Sequence, residues 1–414
     1  MRVGRQDLAR RVAGLDAALH AEIAPRCHGL WRIDRGDVPG DASDMAIREF
    51  ALERYFARWE FSARHLLSAS DCEPLTVREL LEIAGLGTSV LEELQLGYVE
   101  SQGTTALRER IAALYPGLSS DDVVVTSAPE EAIYLAMTTL LEPGDRVVVQ
   151  VPCYQSLAEL ASHRGCEVMR CPMVETETGW RLDLDHLAAL LERPTKLLVV
   201  NAPHNPTGYL PTHDEHAAVI ALAEARGCWV FSDEMYHGLE RVAAHRLAPA
   251  VVRYPRAMSL WGMSKSFALP GLRIGWLALR DRRLRDAIIA YKDYTTICSS
   301  APGELLAAIA LDHRETILAR SRALIEDNLA LAIDFAARRP DLIAWRDGQG
   351  GSVRLVRLRG GGAHELAERS ARGCGVMVVP STMFDAGDEH IRLGLGRRGF
   401  PAALDALERF LPPA

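Results

Sequence analysis

Between residues 123 and 279, seven short runs of nearly continuous apolar residues alternate with longer amphipathic stretches. The runs lie at 123–126, 146–151, 167–171, 197–201, 229–232, 257–260 and 274–279. The stretches at 130–141, 154–163, 184–191 and 213–225 repeat their apolar residues at helical spacing. Strands that are apolar on both faces need cover on both faces. The pattern therefore predicts an α/β fold: a mostly parallel, seven-stranded sheet sandwiched by helices. From Ala301 one long helical pattern reaches about Ala337, with Pro340 beyond it, and the remainder reads as a small α+β unit. The domains expected are an N-terminal segment with part of the small domain (1–75), a large sheet domain (76–300) and a small C-terminal domain (301–414).

Outside that core the sequence says less. A helical pattern occupies 8–15 and a loop 35–41. From Met45 to Phe61, the residues Phe50, Leu52, Tyr55, Phe56 and Trp59 recur at helical spacing, which predicts a packing helix. The formal net charge is −8 and no basic stripe is present, which argues against a nucleic-acid partner. No apolar run is long enough to span a bilayer. The first 24 residues are interrupted by Asp7, Asp16 and Glu22, so no signal peptide and a cytoplasmic location are expected. Eight scattered cysteines form no C-x-x-C pair, so reduced thiols and no metal site are expected.

The chemistry is concentrated in residues 262–275. The chain has only three lysines, Lys196, Lys265 and Lys292, against 44 arginines. Arginine would supply plain charge, whereas an amine that loses its proton and attacks a carbonyl must be lysine. Lys292, in a mixed Tyr-Lys-Asp-Tyr run, reads as a surface lysine. Lys265 follows the apolar run 257–261 and precedes a Pro-Gly turn, and strand ends carry sites in α/β folds. An amine there leads to a Schiff base and so to pyridoxal phosphate. Asp233 ends another apolar strand, where a buried carboxylate needs a cation such as a pyridinium nitrogen. Tyr236 follows three residues later. Asn205 sits in the loop 201–208, which two prolines and a glycine hold in an irregular path. Taken singly, an N-cap aspartate and a core tyrosine would explain Asp233 and Tyr236, and an ordinary turn is the plain reading of 201–208, although that octapeptide is more specific than a turn needs.

Together they resemble the signature of the class I/II aminotransferases, the fold-type-I pyridoxal-phosphate enzymes. The matching elements are Ser264-Lys265 with Arg273 eight residues on, Asn205-Pro206-Thr207-Gly208, and Asp233 with Tyr236; the likeness covers residues 97–395. The resemblance implies that Lys265 carries the cofactor and shuttles a proton, with Asp233 on the ring nitrogen and Tyr236 and Asn205 on the ring oxygen. It implies that Tyr154 stacks on the ring and that Ser264 and Arg273 bind the phosphate. Tyr98 would reach the phosphate of a neighbouring subunit, which implies a homodimer with shared active sites. Arg392 would grip the α-carboxylate of an amino-acid substrate, which Asn205 also touches.

The phosphate cup departs from the family pattern. Residues 126–130 read Thr-Ser-Ala-Pro-Glu, so Pro129 offers no amide and Glu130 places an acid near a phosphate. Ala128 and Glu130 are nonetheless the cup positions. Gly262 stands where many relatives have a serine. Asp71 and Glu73, in a loop, read as a solvated acidic turn or as acids facing a cationic substrate. Three functions stay open. The first is an aminotransferase acting on an L-amino acid. The second is a lyase, cyclase or oxygen-using relative of specialised metabolism, antibiotic biosynthesis included; the Gly-Met-Ser-Lys-x-Phe-x-Leu-Pro-Gly-Leu-Arg stretch is similar to capreomycidine-synthase-like enzymes. The third is a non-catalytic protein of the same fold, which the presence of Lys265, Asp233 and Arg392 disfavours.

Overall fold

The computed structural model describes residues 47–412; the helical pattern at 8–15 and the loop at 35–41 lie outside them. The first helix among the described residues, α1 (Ala51–Trp59), buries Leu52 and Tyr55. A short strand, β1 (His65–Leu66), follows. The large sheet is then laid down by β2 (Val123–Thr126), β3 (Arg146–Val151), β4 (Glu167–Glu175), β5 (Trp180–Leu182), β6 (Leu197–Asn201), β7 (Trp229–Asp233), β8 (Ala257–Gly262) and β9 (Gly275–Leu279).

Its spatial order is β2-β9-β8-β7-β6-β3-β4-β5. The five central strands from β8 to β4 run parallel, and β9, β2 and β5 join antiparallel. The sheet thus has eight strands where the apolar runs predict seven; β5 is only three residues long and adds at the β4 edge. Strand β2 is buried along its whole length and β3 at every position but the last, which is why both read as valine runs rather than alternating patterns. Helix α2 (Pro129–Leu140) follows β2, with proline at its first position, where a missing N–H costs nothing.

The long pattern expected from Ala301 is two helices, α3 (Ala301–Asp312) and α4 (Arg314–Arg338). They part at His313, whose backbone (φ −114°, ψ 21°) is not helical. Aspartate and histidine at the junction are both weak helix formers, so the apolar periodicity runs across a break it does not report. Beyond α4 lie β10 (Ile343–Ala344), β11 (Val353–Leu358), β12 (Val376–Met377), β13 (Val379–Pro380) and β14 (His390–Gly394). Four of them form an antiparallel sheet in the order β10-β11-β14-β13. The fifth, β12, pairs in parallel with β1, which ties residues 65–66 to the C-terminal unit.

Lys292 corrects a sequence expectation. It is fully buried, and its Nζ donates to the Ile297 carbonyl at 3.1 Å. The charged residues around it in sequence marked it as a surface lysine, but the fold folds 293–297 back over it.

Candidate active site

Strand register brings the chemistry together. Asn201 at the end of β6 pairs with Asp233 at the end of β7, and β8 ends alongside at Gly262. The crevice beyond the carboxyl ends of parallel strands is where open α/β sheets bind ligands. A cavity of about 540 Å³ lies there, lined by Lys265, Asp233, Tyr236, Asn205, Tyr154, Ser264, Arg273, Arg392, Glu130 and Asp71 among others. Ten of the thirteen residues singled out from sequence thus face one space.

Lys265 sits in the turn after β8, and its Nζ donates to Ser70 Oγ at 2.8 Å. Burial lowers its pKa, with the Arg392 charge acting in the same sense and Asp71 opposing it. Asp233 accepts the Met235 N–H at 3.1 Å and is pushed up to about 6 by burial. A buried carboxylate in that state lacks a full cationic partner. Asn201 braces two of these groups at once. Its Nδ2 donates to the Asp233 carbonyl (2.8 Å), and its Oδ1 accepts the Asn205 N–H (2.6 Å).

Arg392, on β14, is 1 % exposed. It donates to Asn205 Oδ1 (3.1 Å) and to the Ser68 carbonyl (2.9 Å), and its Nε has no partner. With its oxygen so engaged, the Asn205 amide keeps its N–H₂ as the free group. The Tyr236 hydroxyl, on a side chain 2 % exposed, is also unpartnered; nearby Ser70 accepts from Lys265 instead. Tyr154 donates to Glu53 Oε1 at 2.8 Å and packs its ring against Phe50 at 5.0 Å.

The unusual 126–130 segment has a physical explanation. Ala128 takes a positive φ of 98° and is buried, and Pro129 and Glu130 line the cavity in its place. A Cβ on Gly262 would come within 2.9 Å of the Pro129 ring, and one on Gly275 within 2.6 Å of the Pro129 nitrogen. The same Gly262 Cβ would lie 2.9 Å from the Ile274 carbonyl oxygen and 3.0 Å from the Gly275 Cα, so backbone and proline ring together close the space in which a serine side chain would start.

Glu130 accepts from Ser156 Oγ (3.1 Å) and is raised to about 7, first by burial and then by the charges of Glu53 and Asp233. It keeps its proton in the folded chain where the unfolded chain has lost it. The cofactor-free protein is therefore expected to lose stability as pH rises from about 4.5 to about 7. Glu130→Gln removes that titration. Melting temperatures across this window should show the wild type falling relative to the variant, and a pH-independent difference would remove Glu130 from the account.

Three singled-out residues lie elsewhere. Ala128 is buried and does not line the cavity. Glu73 accepts the Arg398 N–H at 3.0 Å and does not line the cavity, so no substrate-facing role for it arises within this chain. Tyr98 is 92 % exposed and reaches no part of the site in its own chain. Asp71 does face the cavity, but Arg397 holds it with contacts of 2.8 and 2.9 Å. Four residues were missed: Ser70, Asn201, Glu53 and Glu60. Asn201 was within the recognised loop. Glu53 and Glu60 stand seven apart with Phe56 between them, a helical row that an apolar stripe conceals.

Residues 91–400 match the aminotransferase class I and II family. Capreomycidine synthase of Streptomyces vinaceus is 31 % identical over 384 residues, covering 90 % of this chain and 94 % of that protein. A PLP-dependent aminotransferase from Streptococcus suis superposes with a TM-score of 0.83 at 28 % identity, covering 89 % of this chain and all of the other. The PLP-dependent cyclase OrfR superposes with a TM-score of 0.82 at 29 % identity, covering 91 % and 99 %.

Proposed function

The chain belongs to the class I and II aminotransferases, a family of pyridoxal-phosphate enzymes, and we propose that it acts at the amino group and Cα of an L-amino acid. The observation that carries this is the convergence of Lys265, Asp233, Asn205, Tyr236 and Arg392 on one cavity. The residues fit the cofactor: Tyr236 offers a buried hydroxyl with no partner, and Asp233 is a buried acid short of a cation. When bound, the cofactor supplies a carbonyl for the substrate amine and a ring that withdraws electrons from Cα.

The chain's own groups divide the remaining work. Asp233 would hold the ring nitrogen, Tyr236 and the Asn205 amide the ring oxygen, and Tyr154 the ring face. Ser264 and Arg273 would take the phosphate. Arg392 would bind the α-carboxylate through its unpartnered Nε edge. Lys265, its pKa lowered by burial, would move the proton at Cα. A single mobile base suits transamination, which we take as the first reading. The second is elimination with ring closure. The long match to the Streptomyces synthase supports it, as does Glu130, an acid half-protonated near neutrality that could protonate a departing group. A second copy of the chain belongs to either reading, since Tyr98, Leu96 and Tyr294 are more than four-fifths exposed; sedimentation reads the mass.

Keto-acid dependence separates the two reactions. The holoenzyme is incubated with amino acids, with and without a keto acid. A transaminase consumes one keto acid per amino acid, whereas a lyase or cyclase turns over without any. Loss of neither amino acid nor cofactor absorbance under both conditions would sink the proposal.

A further inference from the structure

Helix α1 presents a carboxylate row to the cavity. Glu53, Phe56 and Glu60 follow one another at i, i+3 and i+7, and all three line it; Glu60 continues the helical backbone at φ −57°, ψ −39°. The cavity carries five carboxylates (Glu53, Glu60, Asp71, Glu130, Asp233) against three cations (Lys265, Arg273, Arg392). Asp71 has Arg397, and in the functional reading Asp233 has the ring nitrogen. Arg273 and Arg392 are then committed to the phosphate and the substrate carboxylate. Among the described residues Glu53 accepts only the Tyr154 hydroxyl. Glu60 has no side-chain hydrogen bond or ion pair among the described residues, and burial, then Asp71 and Glu53, push its pKa up. Acids crowded in this way are relieved by a cation. The partnerless Tyr236 hydroxyl and Arg392 Nε, both on side chains more than nine-tenths buried, line the same space and mark it as built around a polar ligand; in the functional reading they take the cofactor and the α-carboxylate, which leaves the acids of helix α1 for the rest of the substrate.

We propose that Glu53 and Glu60 recognise a cationic group, a guanidinium or an alkylammonium, at the far end of the substrate's side chain. This rests on the amino-acid reading above and names its substrate class. Seven helical residues set their Cα atoms about 10 Å apart, a gap that one guanidinium can bridge with a carboxylate on each edge.

The test titrates the holoenzyme with L-arginine and with L-norleucine, read by calorimetry and by cofactor absorbance. Arginine should bind more tightly than norleucine. Glu53→Gln and Glu60→Gln should each weaken arginine about tenfold, the loss of one charge-assisted contact, and leave norleucine unchanged. Glutamine retains the acceptor that Tyr154 uses, so the fold is spared, and melting temperature checks this. The double variant should lose the preference. Equal binding of the two amino acids by the wild type, or an undiminished preference in the double variant, overturns the inference and leaves the functional reading standing. Absence of any response to either amino acid overturns both.

Discussion

Lys265→Ala is expected to leave a folded protein that neither holds the cofactor covalently nor turns over substrate. A positioned acid–base group is worth about 10²–10⁴-fold, and the loss here should reach the upper end because the same amine also forms the cofactor linkage. The chain makes the experiment clean, since it has only three lysines. Lys292 is fully buried with its amine donated to the Ile297 carbonyl. Borohydride reduction of the wild type with pyridoxal phosphate, followed by peptide mass analysis, should mark the peptide containing Lys265 and no other. Label on Lys196 or Lys292, or retained turnover in the alanine variant, would move the chemistry away from the end of β8.

The second large effect is expected at Asp233. Its carboxylate is buried and raised to about 6, and its only hydrogen bond among the described residues is to the Met235 N–H. A protonated ring nitrogen supplies the missing cation. Asp233→Asn keeps the shape and an acceptor for Met235 but removes the charge that holds the ring protonated. It should lower kcat by about 10²–10³-fold, the cost of one preorganised electrostatic contact, with KM for the amino acid much less changed. Cofactor affinity of the wild type should also weaken as pH falls through about 6, because Asp233 then takes up its own proton. A variant within about threefold of wild-type kcat would not fit a charge made for the transition state.

Six of the seven apolar runs are readable because a strand buried on both faces declares itself over four to six residues; the seventh lies in β4, which is exposed at Glu167, Arg170 and Pro172, and is legible only from Val168, Met169 and Cys171. The same local clarity served Lys265, Asp233 and Asn205. Each lies at or just after a strand end, within a few residues of the glycines and prolines that shape its turn. Arg392 was found only through family resemblance; its place beside Asn205 depends on β14 meeting a loop 187 positions away in sequence.

The misreadings share a cause. Lys292 reads as a surface residue because its neighbours in sequence are polar, and it is interior because the chain returns over it. Glu73 and Asp71, two positions apart, were read as equivalent acids, yet one caps Arg398 outside the cavity and the other faces inward. Helix α1 was read from its apolar residues as a packing element, and it does bury Leu52 and Tyr55. Which neighbour its other side meets is not a property of its own periodicity.

By itself the sequence determined most of the sheet, the family and the candidates for the reacting groups, because those are written in short-range patterns: burial on two faces, turn residues, and a lysine kept where arginine is the rule. Only the tertiary structure decided which charges go without partners. That Glu53 and Glu60 share a cavity with Lys265, and that Pro129 packs beside Gly262, follow from contacts between segments far apart in the chain.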